Sequence, residues 1–257
     1  MKPDFRSFAA GLIAVGLAFA ASPAVRAQSF TADQRVEIER VIREYLLSHP
    51  ELLQDVMAEL EKRQSAADNE KHQAAIKEYS SAIFTSARQI TLGNPQGDVT
   101  IVEFFDYNCG YCKRALNDML ELLKNDSKLK FVLKEFPVLG EGSVQAAQVA
   151  AAARMQDKSG KKYLEFHQKL LGGRGQADKT RALATAKEAG FDVARIEKDM
   201  TSDEVKAQLE ESFKLAEALG LNGTPSYVVG REVVVGAVGL NTLREKVNTA
   251  RCGKATC

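Results

Sequence analysis

From residue 30 onward the chain alternates between stretches with apolar residues at helical spacing and short β-branched runs. Ile38, Val41, Ile42, Tyr45 and Leu46 form a first stripe. Thr31 can open that helix as an N-cap, with Gln34 three residues on completing a capping box. Ser48-His49-Pro50 breaks the stripe, and Pro50 suits the first turn of a new helix. Leu52, Leu53, Val56, Met57 and Leu60 make the second stripe. Glu61 to Gln73 is nearly all polar or charged and reads as a solvated helix or a flexible linker, before a helical stretch toward Phe84. The stripes are too short and interrupted for a long coiled coil. With no globular partner beside them in sequence, they read as an oligomerisation stalk; folding back onto the domain that follows is the other possibility.

The pattern changes near residue 88. Gln89–Leu92 suits an edge strand, and Gly93–Asp98 a turn. Val99–Phe105 reads as a buried strand, β-branched and aromatic, and Arg114–Leu123 as an amphipathic helix. Leu129–Phe136 is a second strand, parallel to the first through that crossover helix. A long helical region follows: Ser143–Met155, Lys162–Leu171, a glycine loop at 172–175, then Lys179–Ala189, Val193–Met200 and Asp203–Leu219. Ser226–Val229 and Val233–Val235 form a hairpin across Gly230-Arg231, and Asn241–Ala250 is a closing helix. About 170 residues suffice for one core. The fold class is α/β.

Residues 1–27 stand apart. Lys2 and Arg6 precede an apolar run from Phe8 to Ala21, and Val25-Arg26-Ala27 fits a small-residue cleavage site. That is the pattern of a signal peptide, and the run is short for a membrane span of about 20 residues. Cleavage after Ala27 takes the formal charge from +1 to −1. A near-neutral mature chain argues against nucleic acid or an anionic membrane as main partner. Export also places the four cysteines where disulfides can form.

Two of those cysteines carry the chemistry. In Asp106-Tyr107-Asn108-Cys109-Gly110-Tyr111-Cys112-Lys113, Cys109 sits where a strand ends and a helix begins, with Cys112 one turn in. Unpaired amides and the helix dipole favour a thiolate there. Cysteine pKa values at such sites fall from about 8.5 to roughly 3.5–7.5. Cys109 is the expected attacking and more exposed sulfur, and Cys112 the resolving one. A zinc site would need two further ligands, and Cys252 and Cys257 lie far off with no histidine beside them. Glu103, on the strand entering this turn, is expected to be desolvated with a raised pKa and able to pass a proton to or from Cys112. Lys134 on the neighbouring strand is a candidate partner for it. Cys252 and Cys257, separated by four residues in a polar tail, suit a local disulfide, with a second redox pair or metal capture left open. His49 and His72 read as surface residues and His167 as structural. There is no phosphate loop and no hydrolase triad.

The strand–CGYC–helix unit resembles the thioredoxin superfamily, in particular its DsbA-like periplasmic branch. A second signature, Gly223-Thr224-Pro225-Ser226-Tyr227, enters a strand far downstream, as the family requires. The resemblance implies a thioredoxin fold with a helical insertion at about 141–220, preceded by the N-terminal helical stalk. It implies a cis Pro225, with the Thr224 backbone holding a substrate strand. Gly110 and Tyr111 count with Thr224 and Pro225 as substrate-binding residues, and an acidic residue at the place of Glu103 is a family feature. The implied domains are a signal peptide at 1–27, a stalk and linker at 28–87, and a DsbA-like domain at 88–257.

CGYC and the threonine before Pro225 resemble DsbC-type isomerases more than the usual oxidase pattern. The order of stalk and DsbA-like domain is similar to the ScsC proteins of the copper-sensitivity suppressor group. The expected function is therefore a periplasmic disulfide isomerase or reductase without cofactor or resident metal. Its expected partners are misoxidised exported proteins and a membrane-bound redox partner, DsbD- or ScsB-like as reductant. A homotrimer is expected. A DsbA-like oxidase served by a DsbB-like oxidant, or a copper-binding protein using Cys109 and Cys112 as soft ligands, are the alternatives.

Overall fold

The computed structural model describes residues 30–157 and 159–257; the expected signal peptide at 1–27 lies outside the described residues. The chain divides into two compact units at Ala58/Glu59. Helix α1 (Ala32–Ser48) opens with the capping box: Thr31 Oγ1 accepts from the Gln34 amide and the Gln34 side chain accepts from the Thr31 amide. No residue of α1 is buried. Ile38, Val41, Ile42 and Tyr45, and Leu52, Leu53, Val56, Met57 and Leu60 beyond Pro50, are all exposed on the single chain.

Helix α2 (Glu51–Glu78) runs unbroken through the polar stretch 61–73. Nothing there breaks a helix: it has no glycine or proline, and Glu59 pairs with Arg63 one turn on. The end of α2 and the short α3 (Ser80–Phe84) bury Ala75, Ile76 and Ile83 in a core cluster with the sheet. His72, expected on the surface, is half-buried with its Nδ1 shielded and unpartnered.

The sheet contains β1 (Ile90–Gly93), β2 (Val99–Phe105), β3 (Leu129–Glu135), β4 (Ser226–Val229) and β5 (Glu232–Val235), in the order β1-β3-β2-β4-β5. Only β2 and β3 are parallel. Their crossover is α4 (Gly110–Asn125). Helices α5 (Glu141–Arg154), α6 (Lys161–Gly172), α7 (Lys179–Glu188), α8 (Val193–Asp199) and α9 (Asp203–Ala218) form the insertion, and α10 (Leu240–Cys252) closes the chain.

The period-two alternation of β2 divides its side chains between two cores. Ile101 and Phe105 join the larger cluster, which includes Cys109 and Cys112. Val102 and Phe104 join the smaller one, which holds α3 and part of α9. Antiparallel pairing of Phe104 with Ser226 brings the start of β4 beside the end of β2. The two sequence signatures, more than a hundred residues apart, therefore meet.

Candidate active site

Strand β2 delivers the chain into a tight turn. Asn108 N–H donates to Asp106 Oδ1 at 2.7 Å, and Cys109 N–H to the Asp106 carbonyl at 3.1 Å. Cys109 is the N-cap of α4, its sulfur accepting from the Cys112 amide at 3.4 Å. The Thr224-Pro225 bond is cis, and the Thr224 carbonyl oxygen lies 3.2 Å from Cys109 Sγ. Neither cysteine is in a disulfide. Gly110 and Tyr111 are exposed, Tyr111 at 58% with the Arg114 guanidinium 4.3 Å above its ring.

Cys109 is only 6% exposed, against 0% for Cys112. It is the more accessible sulfur of the two, but a helix end alone would leave it far more open. Contact with the Thr224-Pro225 loop is the reason, and that loop is a long-range neighbour.

The two sulfurs differ sharply in acidity. Cys109 is drawn down to about 5, first by a hydrogen bond from the Cys112 side chain, then by the Thr224 side chain and the amides of Cys112 and Tyr111, against the opposing effect of burial. The Thr224 carbonyl suits the protonated thiol and its hydroxyl the thiolate; the net effect is downward. Cys112 is pushed far up by its hydrogen bond to Cys109, by burial and by the charge of Glu103. One sulfur is held as thiolate and the other as thiol.

Glu103 is 3% exposed and its carboxyl is raised to about 8, chiefly by burial and by the negative charge at Cys109. A hydrogen bond from Tyr227 pulls the other way, and Asp118 adds to the rise. Lys134 is not the partner of Glu103. The parallel register pairs Lys134 with Phe104, so it leaves the opposite face of the sheet. There, almost fully buried, its Nζ meets Glu211 Oε1 at 3.4 Å.

Sequence reading missed the residues that hold the turn. Asp106 is buried and accepts four hydrogen bonds, from the amides of Asn108, Val138 and Leu139 and from Ser143 Oγ. Asn108 brackets Ala177, accepting from its N–H at 2.7 Å and donating to its carbonyl at 2.9 Å. The Asp-x-Asn spacing signals an Asx turn, but the distant partners leave no local trace. His167 is buried against Tyr107, with Nδ1 3.3 Å from the phenol oxygen. Burial alone lowers its pKa to about 3. Cys252 and Cys257 are joined in an exposed disulfide at the end of α10.

Residues 100–248 match the family described as the DSBA-like thioredoxin domain, and residues 34–67 match the copper resistance protein ScsC N-terminal domain. A thioredoxin-like oxidoreductase from Silicibacter pomeroyi is 44% identical, with a TM-score of 0.63 over 66% of this chain and 96% of that one. The thiol-disulfide exchange protein alpha-DsbA2 of Wolbachia pipientis is 34% identical, with a TM-score of 0.65 over 71% of this chain and 97% of that one. A linker-deleted mutant of Proteus mirabilis ScsC is 25% identical, with a TM-score of 0.65 over 88% of this chain and 98% of that one. The chain spans about a quarter of the length of Na(+)/H(+) antiporter NhaA relatives that it also matches. With more than half of its length matched by the family model, the chain belongs to the DSBA-like thioredoxin domain family.

Proposed function

We propose that this protein is a periplasmic thiol–disulfide exchange protein, acting as an isomerase or reductase on misoxidised exported proteins. The observation that carries the exchange reading is Cys109 at the N-cap of α4, its sulfur against the Cys112 amide and the cis Thr224-Pro225 loop, and more acidic than the buried Cys112. The exposed stripes of α1 and α2 favour isomerase over oxidase. At neutral pH the Cys109 thiolate attacks one sulfur of a client disulfide. A Cys109–client bond forms, the client S–S bond breaks, and the departing client thiolate takes a proton from solvent. Attack on the mixed disulfide by another client thiolate releases Cys109 unchanged and completes an isomerisation with no net electron transfer. Alternatively, once Cys109 is tied up in the mixed disulfide, its charge no longer helps hold Glu103 protonated. Glu103 gives its proton to solvent, takes the proton of Cys112, and Cys112 attacks Cys109. The client leaves reduced, the Cys109–Cys112 disulfide forms, and a membrane-bound DsbD- or ScsB-like reductant resets it. Thr224, Pro225, Gly110 and Tyr111 hold the client strand, and no cofactor enters any step.

The exposed stripes of α1 and α2 support an assembly role. Apolar faces of that extent mark interaction sites, and burial against copies of themselves gives a closed ring. The match of 34–67 to an ScsC N-terminal domain supports a homotrimer built on a stalk at 28–87, with catalysis in 88–257. Removal of residues 1–27 on export places the mature protein in the periplasm; among the described residues, no helix is long and apolar enough to cross a membrane.

The low pKa of Cys109 also favours a second reading, an oxidase. A stabilised thiolate stabilises the reduced form and makes the disulfide a stronger oxidant. Recovery of a scrambled test protein decides between them. The mature protein restores activity and Cys109→Ser does not; rapid oxidation of reduced substrates with no recovery of scrambled ones establishes the oxidase.

A further inference from the structure

The glycine loop at 172–175 is tied to the active-site turn from two sides. Asn108, the neighbour of Cys109, holds Ala177 by both backbone groups, and Lys113 Nζ donates to the carbonyls of Gly173 at 3.3 Å and Gly175 at 3.5 Å. From beneath, the Arg181 guanidinium fills the space where a side chain on Gly173 would lie. Arg174 is exposed in the loop, and Arg114 is exposed on α4 with its guanidinium stacked on Tyr111.

Some cations of the domain are matched: Arg88, Lys134, Arg154, Lys246 and Arg251 all pair with carboxylates. Lys113, Arg114, Arg174 and Arg181, gathered at this loop, are among those that are not. Among the described residues, none has a carboxylate oxygen within 4.0 Å. The nearby acids are committed elsewhere. Asp106 is saturated by four donors, Asp178 caps α7 by accepting from the Arg181 amide at 2.9 Å, and Glu141 accepts from Gln145. Four cations without a carboxylate partner therefore lie around one loop beside the nucleophile.

We propose that this loop and the first turns of α4 form a cationic rim that binds acidic polypeptide segments flanking the client cysteine. The proposal rests on the exchange reading and adds a client class to it. Extended Asp- or Glu-bearing segments are favoured over lysine-bearing ones because each carboxylate finds an exposed guanidinium that has no carboxylate partner. Lys113 and Arg181 are spent on shaping the loop, and Arg114 and Arg174 face the client. Opposite-charge steering of this kind raises association rates by about 10- to 1,000-fold at low salt and fades as salt screens it.

The test measures the rate at which the reduced full-length protein attacks three disulfides: two peptide disulfides identical except for flanking glutamates or lysines, and a small neutral aromatic disulfide. The glutamate peptide is expected to react at least about tenfold faster than the lysine peptide at low salt, with the gap closing in high salt. Arg114→Glu combined with Arg174→Glu reverses the preference and leaves the neutral reagent's rate unchanged, which shows that the fold and thiolate are intact. Equal rates for the two peptides, or a preference that survives both substitutions, overturn the rim. Failure of the neutral reagent with the wild-type protein instead overturns the exchange reading on which it rests.

Discussion

Glu103 and Tyr227 stand directly opposite one another across the β2–β4 ladder, both buried. The tyrosine hydroxyl donates toward the carboxyl, and the carboxyl lies close enough to Cys112 to raise its pKa. A carboxyl that titrates close to neutral pH is thus held in a dry core, next to the buried sulfur. The sign of its effect on stability follows. Its folded pKa, about 8, lies above an ordinary glutamic acid near 4.3, so the folded state binds more protons between those values. Stability from this group is full below about pH 4 and is lost as pH rises toward 8. Denaturant unfolding of the dithiol form at several pH values is expected to show wild-type stability falling relative to Glu103→Gln across that window. Parallel pH profiles of the two proteins would show that Glu103 does not titrate there.

Cys109 has the opposite linkage. Its folded pKa, about 5, lies below the ordinary thiol value near 8.5, so the dithiol form gains stability as pH rises between the two. The difference in stability between dithiol and disulfide forms is expected to grow from pH 5 to pH 8. Thiolate absorbance against pH in Cys112→Ala, which lacks the strongest donor to Cys109, reads a midpoint above 5 and below 8.5. An ordinary midpoint in wild type removes the proposed nucleophile.

Thr224→Val keeps the backbone and removes the hydroxyl that favours the thiolate. One hydrogen bond to an ionised group is worth about 1.5 kcal/mol, or about one pKa unit. The Cys109 midpoint is expected to rise by about that much, with a slower attack on small disulfides at pH 6. An unchanged midpoint assigns the whole effect to the helix end and to Cys112.

Asn108→Ala removes two hydrogen bonds to Ala177 and one to Ser143. Leaving the buried Ala177 groups unpaired is expected to cost about 2 kcal/mol in a thermal or urea melt. The same variant loosens the glycine loop, so hydrogen exchange at residues 172–177 accelerates more than in β2.

How legible this was in the sequence depends on the range of the contact. Strand β2, helix α4 and the capping box at Thr31 and Gln34 rest on residues a few positions apart, and their patterns were readable. Pro225 was placed opposite Cys109 by resemblance, and the β2–β4 pairing is its physical cause. Asp106 gave no comparable signal, because its partners at 138, 139 and 143 come from a different layer of the fold. Lys134 was misassigned because a strand neighbour in sequence position is a partner only if the register puts both on one face. The polar stretch 61–73 was read as helix or linker because propensity alone does not settle a solvated segment; the absence of any breaker decided it for helix.

Deleting residues 28–60 tests the assembly. Light scattering of the mature protein is expected to give a trimer and of the truncated form a monomer that retains a reactive Cys109 but no longer rescues scrambled substrates. A monomeric mature protein at micromolar concentration returns the stripes to an intramolecular role.

Cys109 is also the residue that closes the end of α4, its sulfur accepting from the Cys112 amide. The atom proposed to attack clients is therefore a component of secondary structure. Joining that sulfur to a client changes the acceptor that the first helical turn relies on, so each catalytic intermediate has its own fraying equilibrium at Tyr111, Cys112 and Lys113. The backbone amides of those three residues act as a built-in redox gauge: their exchange with solvent reports which species occupies the cysteine, with no probe attached and no side chain altered.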